Sequence, residues 1–189
     1  MKLLLYCTKT KPYLVKEAFK GYMATNNLGI LEEEKERFIF NGKIVAECDF
    51  KVEEICSEKL NNGVGYEPIF YTETIDNISS KSCLTQFEIE NYLGCKVNGE
   101  KVGYAIHIKN LNIFDKPREL FNYCGKSKQN VFYHIENAPQ NMMYCYGKNT
   151  GEKYVLISIR PEWICKILNG EKTIEVRRKV LKGMLGNGK

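Results

Sequence analysis

Regular alternation of apolar and charged residues identifies the clearest strand in the chain. Over residues 43–53 the apolar side chains except Val45 fall on one face, and the charged ones fall on the other. Apolar runs at residues 2–7, 102–114 and 141–146 predict further strands. In the segment 102–114 the apolar positions change parity near Asn110, which indicates a bulge or bend. The pattern predicts a mostly β protein.

Two segments of 11 residues resemble each other and predict helices. Lys11–Gly21 (KPYLVKEAFKG) and Arg160–Gly170 (RPEWICKILNG) both start with a basic residue and proline and end at glycine. Each follows a predicted strand, so we interpret them as two copies of a strand–helix unit. The second copy continues into a charged strand, residues 172–178, whereas the first continues without charge.

Other local signals predict a third helix, a turn and a loop. Thr85 and Glu88 have the spacing of a capping box, which predicts a helix from there to about Gly94. Asp115 and Pro117 predict a helical turn. Residues 57–82 are rich in Asn, Ser and Gly and predict a long loop.

Composition limits the classes of protein that the chain can represent. Its 189 residues, 43% of them hydrophobic, suit one domain or one domain with a partial second. No apolar run is long enough for a membrane span or a signal peptide, so we expect a cytoplasmic protein that does not bind membranes. Its 8 cysteines form no CxxC pair, and with two histidines they show no metal-ligand spacing. We therefore expect reduced thiols, no metal site and no cofactor.

Positive charge is concentrated near the C-terminal end. Residues 153–189 contain 9 Lys+Arg against 3 Asp+Glu, a net of +6, whereas the whole chain has a net charge of +5. The other 152 residues therefore carry a net charge of −1. An imbalance this local is informative about binding partners rather than about the fold.

The charged strand supplies the candidate site residues. Its period of two places Ile174 and Val176 on one face and Thr173, Glu175 and Arg177 on the other. Lys172 at the strand start and Arg160 at the helix start predict a concave site for a phosphate or a polar base edge. The candidate ligand-binding residues are therefore Arg160, Lys172, Glu175 and Arg177, with Lys9, Lys11 and Lys43 on the rim. The simpler alternative is a solvated strand face with an internal Glu175–Arg177 pair.

The segment ISIRPEWICKILNGEKTIEVRRK resembles the ASCH family, whose fold is a PUA-like β-barrel. The resemblance rests on a strand, a basic-Pro helix and a Gly-x-Lys-x-x-Glu-x-Arg strand, here Gly170, Lys172, Glu175 and Arg177. It extends to residues 42–54, 104–120 and 139–146, which resemble further barrel strands. The chain is also similar to small proteins of phages and mobile elements of gut bacteria.

The resemblance implies a nucleic-acid or nucleotide role in a cleft beside the charged strand. One branch of the family resembles an amidohydrolase of N4-acetylated cytidine, with a lysine and a threonine nucleophile three residues later. Lys172 matches that lysine, but Glu175 occupies the nucleophile position and cannot replace a hydroxyl in the same mechanism. The possible catalytic residues are Lys172, Glu175 and Thr173, whose hydroxyl is the one next to Lys172 in the sequence.

These observations together predict a fold and three alternative functions. We expect a mostly β, α+β fold: a PUA-like barrel over residues 1–150 with two or three short helices. A partial strand–helix–strand unit, residues 151–189, would pack on it. We expect a binding module for RNA or a nucleotide-like ligand. The alternatives are a hydrolase of an acylated nucleoside and a protein-interaction module for a partner with an acidic surface. Both a monomer and a swapped dimer are compatible with the incomplete second copy.

Overall fold

The computed structural model describes residues 1–9, 42–59, 66–70, 75–93 and 101–185. The strands are β1 (Lys2–Cys7), β2 (Ile44–Lys59), β3 (Tyr66–Phe70), β4 (Lys101–Arg118), β5 (Tyr123–Lys126), β6 (Phe132–His134), β7 (Met142–Gly147), β8 (Lys153–Ile159) and β9 (Ile174–Arg177). The helices are α1 (Ile75–Ser82), α2 (Gln86–Leu93) and α3 (Pro161–Leu168), with a short 3-10 helix at Leu120–Asn122. The chain forms two compact units, Met1–Asp49 with Asn110–Gly170 and Phe50–Lys109 with Glu171–Lys189.

The first unit is built around β1 and β8. These two strands pair in parallel, from Lys2 opposite Tyr154 to Cys7 opposite Ile159. On the other side of β8 lies β7, which pairs with it antiparallel, and β5 and β6 follow. β1 also pairs antiparallel with the first part of β2. The residues of β1 and β8 are almost all buried, as in parallel strands whose two faces are both covered.

Helix α3 follows β8 in the first unit, as the sequence predicts. Arg160 is its N-cap residue and Pro161 occupies the first helical position, where the missing N–H costs nothing. Gly170 ends the helix region with a φ of 81°, a conformation that glycine adopts without a steric penalty. One face of α3, including Ile164 and Ile167, is buried.

The second unit combines β-structure with two short helices. The second part of β2 pairs with β3, and β4 pairs antiparallel with β9. Its core contains apolar side chains from both the strands and the helices: Ile55, Ile78, Ile89, Ala105, Ile174 and Val176. The Thr85–Glu88 capping box is present at the start of α2, with the Thr85 N–H donating to Glu88 Oε2 at 2.8 Å and the Glu88 N–H donating to Thr85 Oγ1 at 3.2 Å.

Most of the predicted elements are confirmed. β1, β2, β4, β7, β8, α2 and α3 occur where the pattern placed them, and Asn110, the residue of the parity change, has a φ of 48°. The predicted helix Lys11–Gly21 lies outside the described residues. The segment 151–189 supplies β8, which lies between β1 and β7, and then α3 and β9.

Two local predictions are wrong. Residues 57–82 are not one long loop, because they include the end of β2, β3 and α1. The helical turn predicted at Asp115 and Pro117 is instead the end of β4, and the 3-10 helix starts later, at Leu120. In both places tertiary contacts outweigh the local preference of Asn, Ser, Gly and Pro for turns.

The prediction of a mostly β, α+β fold with a few short helices is confirmed. Among the described strands the order is β6-β5-β7-β8-β1-β2-β4-β9, with β3 paired to β2. The PUA-like barrel implied by the family resemblance stays a prediction.

None of the described helices combines the length and the apolar composition needed to cross a bilayer.

Candidate functional site

Strand β9 carries the charged motif, and its two faces differ as the period of two predicts. Ile174 and Val176 are 0% and 4% exposed and belong to the core of the second unit. The strand lies antiparallel to β4, with Arg177 opposite Tyr104 and Ile174 opposite His107. This pairing holds the charged residues of β9 in fixed positions.

Lys172, Glu175 and Arg177 form a buried ionic network, which we call the charge triad. The Glu175 carboxylate lies between the two cations: its Oε2 is 3.3 Å from Lys172 Nζ and its Oε1 is 2.9 Å from Arg177 Nη2. Lys172 Nζ also donates a hydrogen bond to the carbonyl oxygen of Ser82, at the end of α1, at 2.6 Å. The three side chains are only 2%, 10% and 12% exposed. The Glu175–Arg177 pair exists as predicted, but the face is buried rather than solvated.

Burial is the dominant electrostatic influence on Lys172 in the charge triad. Desolvation lowers the pKa of Lys172 from its usual value, and the neighbouring Glu175 opposes that shift only in part. Arg177 lowers it further. A buried ammonium group whose charge is disfavoured in this way depends on Glu175, the one carboxylate of the triad.

A surface cleft of about 270 Å³ lies beside the start of β9 in the same unit. It is lined by Lys51, Glu53, Lys81, His107, Ile108, Lys109 and Thr173. Lys51 and Glu53 of β2 are two apart, as are His107 and Lys109 of β4, so each pair lies on one face of its strand. The backbone joins the start of β9 to this region, because the Thr173 N–H donates to the Lys81 carbonyl oxygen and the Ile108 N–H donates to that of Thr173, both at 2.8 Å.

Glu53 contacts two other residues of the cleft, Lys51 and His107. Its Oε1 is 2.5 Å from Lys51 Nζ, and its Oε2 is 2.9 Å from His107 Nε2. Glu53 and His107 are 15% and 13% exposed, whereas Lys51 is 60% exposed. The imidazole and the carboxylate are thus held in place, and the ammonium group of Lys51 remains accessible to a ligand.

The cleft has the chemistry of an anion site. It presents three lysines against one glutamate, together with the Thr173 hydroxyl and an imidazole. Lysine ammonium groups bind phosphate as point charges, and hydroxyl and imidazole groups can hydrogen-bond to a sugar or a base. Its volume approaches the lower end of the range for small-molecule sites.

The sequence-predicted site residues separate into groups. Lys172, Glu175 and Arg177 come together in the charge triad, and Thr173 lines the cleft. The others that the structure describes belong to the first unit: Arg160 is 3.1 Å from Glu162, Lys43 pairs with Glu119, and the Lys9 side chain lies against Gly42. Lys11 lies outside the described residues.

Lys51, Lys81, Lys109 and Glu53 are cleft residues that the sequence argument did not select. The alternation over residues 43–53 puts Lys51 and Glu53 on the charged face of β2, and the period of two puts His107 on the opposite face of β4 from Ile106. Those signals identified the faces correctly. They did not show that β2 and β4 lie side by side, which is what brings Glu53 to His107.

The cysteines whose side chains the structure describes are free thiols. Burial raises the pKa of Cys7, Cys48, Cys145 and Cys165 to about 12, so these thiols are protonated and unreactive at neutral pH. Within the described part of the chain no three His, Cys, Asp or Glu residues are grouped as a metal site would require.

Comparison of the chain with models of protein families, with curated proteins and with solved structures finds no match. The case for a function therefore depends on the geometry of the cleft and the charge triad.

Proposed function

We propose that this protein is a binding module for RNA or a nucleotide-like ligand, and that the cleft beside β9 holds a phosphate group of that ligand. The observation that carries the proposal is the set of three lysines around the Glu53–His107 pair, in a cleft of about 270 Å³. The nucleotide role implied by the ASCH resemblance agrees with this chemistry.

Within this proposal the residues have different roles. Lys51, Lys81 and Lys109 bind phosphate, since an ammonium group acts as a point charge toward it. Thr173 and His107 contact the sugar or the base. The charge triad does not touch the ligand: at 2% exposure Lys172 is too deep, so the triad stabilises β9, which directly follows Thr173.

The cleft proposal can be tested with a mononucleotide and its nucleoside. Isothermal titration of uridine 5′-monophosphate and of uridine separates the phosphate contribution from that of the base and sugar. We expect the nucleotide to bind more tightly than the nucleoside and to weaken as salt increases, because ammonium–phosphate contacts are screened. Lys51→Gln/Lys109→Gln should lower nucleotide affinity by about tenfold and reduce its salt dependence.

A matched control has the same change of charge elsewhere. Lys2→Gln/Lys116→Gln removes two lysines from strands of the first unit and should leave nucleotide binding unchanged. Equal loss in both double variants would show that net charge alone governs binding, and it would contradict a specific cleft. Equal affinity for nucleotide and nucleoside would contradict a phosphate site.

The hydrolase alternative is favoured by one observation, the lowered pKa of Lys172 next to the cleft residue Thr173. A lowered pKa makes a lysine a better candidate for a general base. Against it, Lys172 is not among the residues that line the cleft, and its ammonium group is hydrogen-bonded to the Ser82 carbonyl oxygen.

Incubation with N4-acetylcytidine distinguishes the two functions. Release of acetate that is lost in Thr173→Val would favour the hydrolase, and binding of nucleotides without turnover would favour the binding module. If neither occurs, the protein-interaction alternative becomes the one to test, by capture of a partner with an acidic surface.

A further inference from the structure

Aromatic and basic side chains share one face of the strands β5, β6 and β7 in the first unit. The strand registers place Lys126 opposite Phe132, Cys124 opposite both His134 and Tyr146, and Tyr146 opposite Lys153. Residues opposite each other in a sheet project to the same side, as do residues two apart. Tyr144 therefore joins this face, which we call the aromatic face.

The opposite side of the same strands is the core of the first unit. Tyr123, Cys145, Tyr154 and Leu156 are all buried there. At β5 and β6 the aromatic face is exposed, since Lys126 and His134 are both exposed there. Phe132 is 53% exposed and lies on β6, which pairs only with β5 among the described strands.

The rings and the lysines of the aromatic face are in contact. Phe132 and Tyr146 meet edge to face, with ring centroids 5.4 Å apart. Lys126 Nζ is 5.2 Å from the centroid of the first ring and 5.7 Å from that of the second. Lys153 Nζ is 4.0 Å from the Tyr144 centroid. Positive charge and ring faces therefore alternate across neighbouring strands.

The charge of this segment is complementary to a nucleic acid. Residues 121–153 contain four lysines and only two acidic residues. One of those acids, Glu152, accepts a hydrogen bond from the Tyr154 hydroxyl at 2.6 Å. An exposed phenylalanine beside ordered lysines suits a ligand that offers both a flat ring and a negative charge, and successive nucleotides of a single strand offer both.

We propose that the aromatic face is a second binding surface of this protein, on which bases of single-stranded RNA stack. Phe132 and Tyr146 supply the stacking rings, and Lys126 and Lys153 contact the flanking phosphates. Tyr144 and Tyr146 lie about 7 Å apart along β7, so each ring can serve a different nucleotide. The inference rests on the proposed function, because it identifies polymeric RNA, rather than a free nucleotide, as the ligand of this module.

Fluorescence anisotropy with a labelled 12-nucleotide oligouridine tests this surface in the full chain. Phe132→Ala should weaken binding by about tenfold, because base–aromatic stacking contributes strongly at each ring. Lys126→Gln/Lys153→Gln should weaken it similarly and reduce the salt dependence. Phe87→Ala removes an exposed phenylalanine, 71% exposed on α2 in the second unit, and should leave RNA binding unchanged.

An oligomer of the same length and charge, with sugars that carry no bases, separates stacking from simple charge attraction. It should bind at least tenfold more weakly than oligouridine. Equal binding of the two oligomers, no effect of Phe132→Ala, or no binding of oligouridine by the unaltered protein would each overturn the proposal.

The two proposals fail independently. Uridine 5′-monophosphate titrated into the unaltered protein and into Lys51→Gln/Lys109→Gln reports on the cleft alone. Loss of RNA binding in Phe132→Ala without any nucleotide binding at the cleft would support the aromatic face and reject the cleft. Nucleotide binding at the cleft with RNA binding unchanged in Phe132→Ala would do the reverse.

Discussion

The two units of this protein bury different chemistry. The first unit buries neutral thiols among apolar side chains: Cys7 and Cys145 are both 0% exposed. The second unit buries charge, with the Glu175 carboxylate between the ammonium group of Lys172 and the guanidinium group of Arg177. A protonated thiol is stable in an apolar core without a partner, whereas a buried ion requires one.

The difference also separates the two proposed ligand surfaces. In the first unit the proposed surface is the aromatic face. In the second unit the residues of the buried charge network flank the cleft residue Thr173 in sequence. Buried ionic networks contribute little net stability and are sensitive to the loss of any member. The second unit should therefore be the more easily damaged by single charge substitutions.

The largest effect is expected from removing the Glu175 carboxylate, which lies between Lys172 and Arg177. Glu175→Gln leaves two buried cations without their carboxylate and should destabilise the protein by about 3–5 kcal/mol. The added substitution Lys172→Met should recover part of this loss, because it removes one cation and keeps the aliphatic volume. Urea denaturation at pH 7 measures both variants.

The pH dependence of Glu175→Gln follows from Lys172. Burial already lowers the pKa of this lysine, and loss of Glu175 lowers it further. The destabilisation is complete below that lowered pKa. It decreases as pH rises from there toward 10.5, the pKa in the unfolded chain, because in this range the folded lysine is neutral and the unfolded one still holds its proton.

The control is Glu162→Gln, in an exposed pair with Arg160, which should change stability by less than about 1 kcal/mol. A similar loss in both variants would remove the contrast between the two regions.

The next effect concerns the thiols of the first unit. With a pKa of about 12 and no exposure, Cys7 and Cys145 should react with iodoacetamide at pH 8 about a hundredfold more slowly than the half-buried Cys83 of the second unit. Peptide mapping by mass spectrometry measures the rate at each cysteine. Equal rates would mean that the core of the first unit opens as readily as the surface of the second.

The thiols also predict loss of stability in alkali. Between the usual thiol pKa of 9.0 and about 12, unfolded cysteines release protons that the folded ones keep, so the free energy of unfolding falls as pH rises above 9.0. Cys145→Ala should reduce this dependence. An unchanged pH profile in that variant would argue against the raised pKa of Cys145.

A smaller effect, about tenfold in affinity, is expected from Lys51→Gln/Lys109→Gln at the cleft, with little change in stability. Lys51 is exposed and its pair with Glu53 is therefore a weak stabilising interaction. This variant separates binding from folding in the second unit, whereas Glu175→Gln affects folding first. Thermal unfolding beside the nucleotide titration checks that the loss is one of binding. A large fall in melting temperature would mean that the cleft lysines are structural.

The smallest effect is expected at the exposed capping box of α2 in the second unit. Thr85→Ala removes the hydroxyl that accepts the Glu88 N–H, and it should cost about 1 kcal/mol by loss of the N-cap. Thr85→Ser keeps the hydroxyl and should cost much less. Urea denaturation gives both values, and equal losses would show that the methyl group, not the cap, matters there.

Sequence patterns were most successful where local signals and burial agree. Alternation placed β2, a capping box placed α2, and a basic-Pro start with a glycine end placed α3. Patterns failed in 57–82, because polar residues with turn preference occur there in elements that pack against the rest of the unit. The candidate site was predicted in part: the motif selected Lys172, Glu175 and Arg177, which the fold brings together, but not the lysines of the cleft.

The sequence by itself determined which residues of β9 face the core and which carry charge, because a strand has a period of two regardless of its neighbours. It also determined that positive charge is concentrated after residue 152. Only the tertiary structure decided that the charged side of β9 is buried, that Glu53 meets His107, and that Phe132 lies beside Tyr146. Glu53 and His107 are 54 residues apart in the sequence, and Phe132 and Tyr146 are 14 apart. Such contacts depend on strand order, which alternation within one strand does not specify.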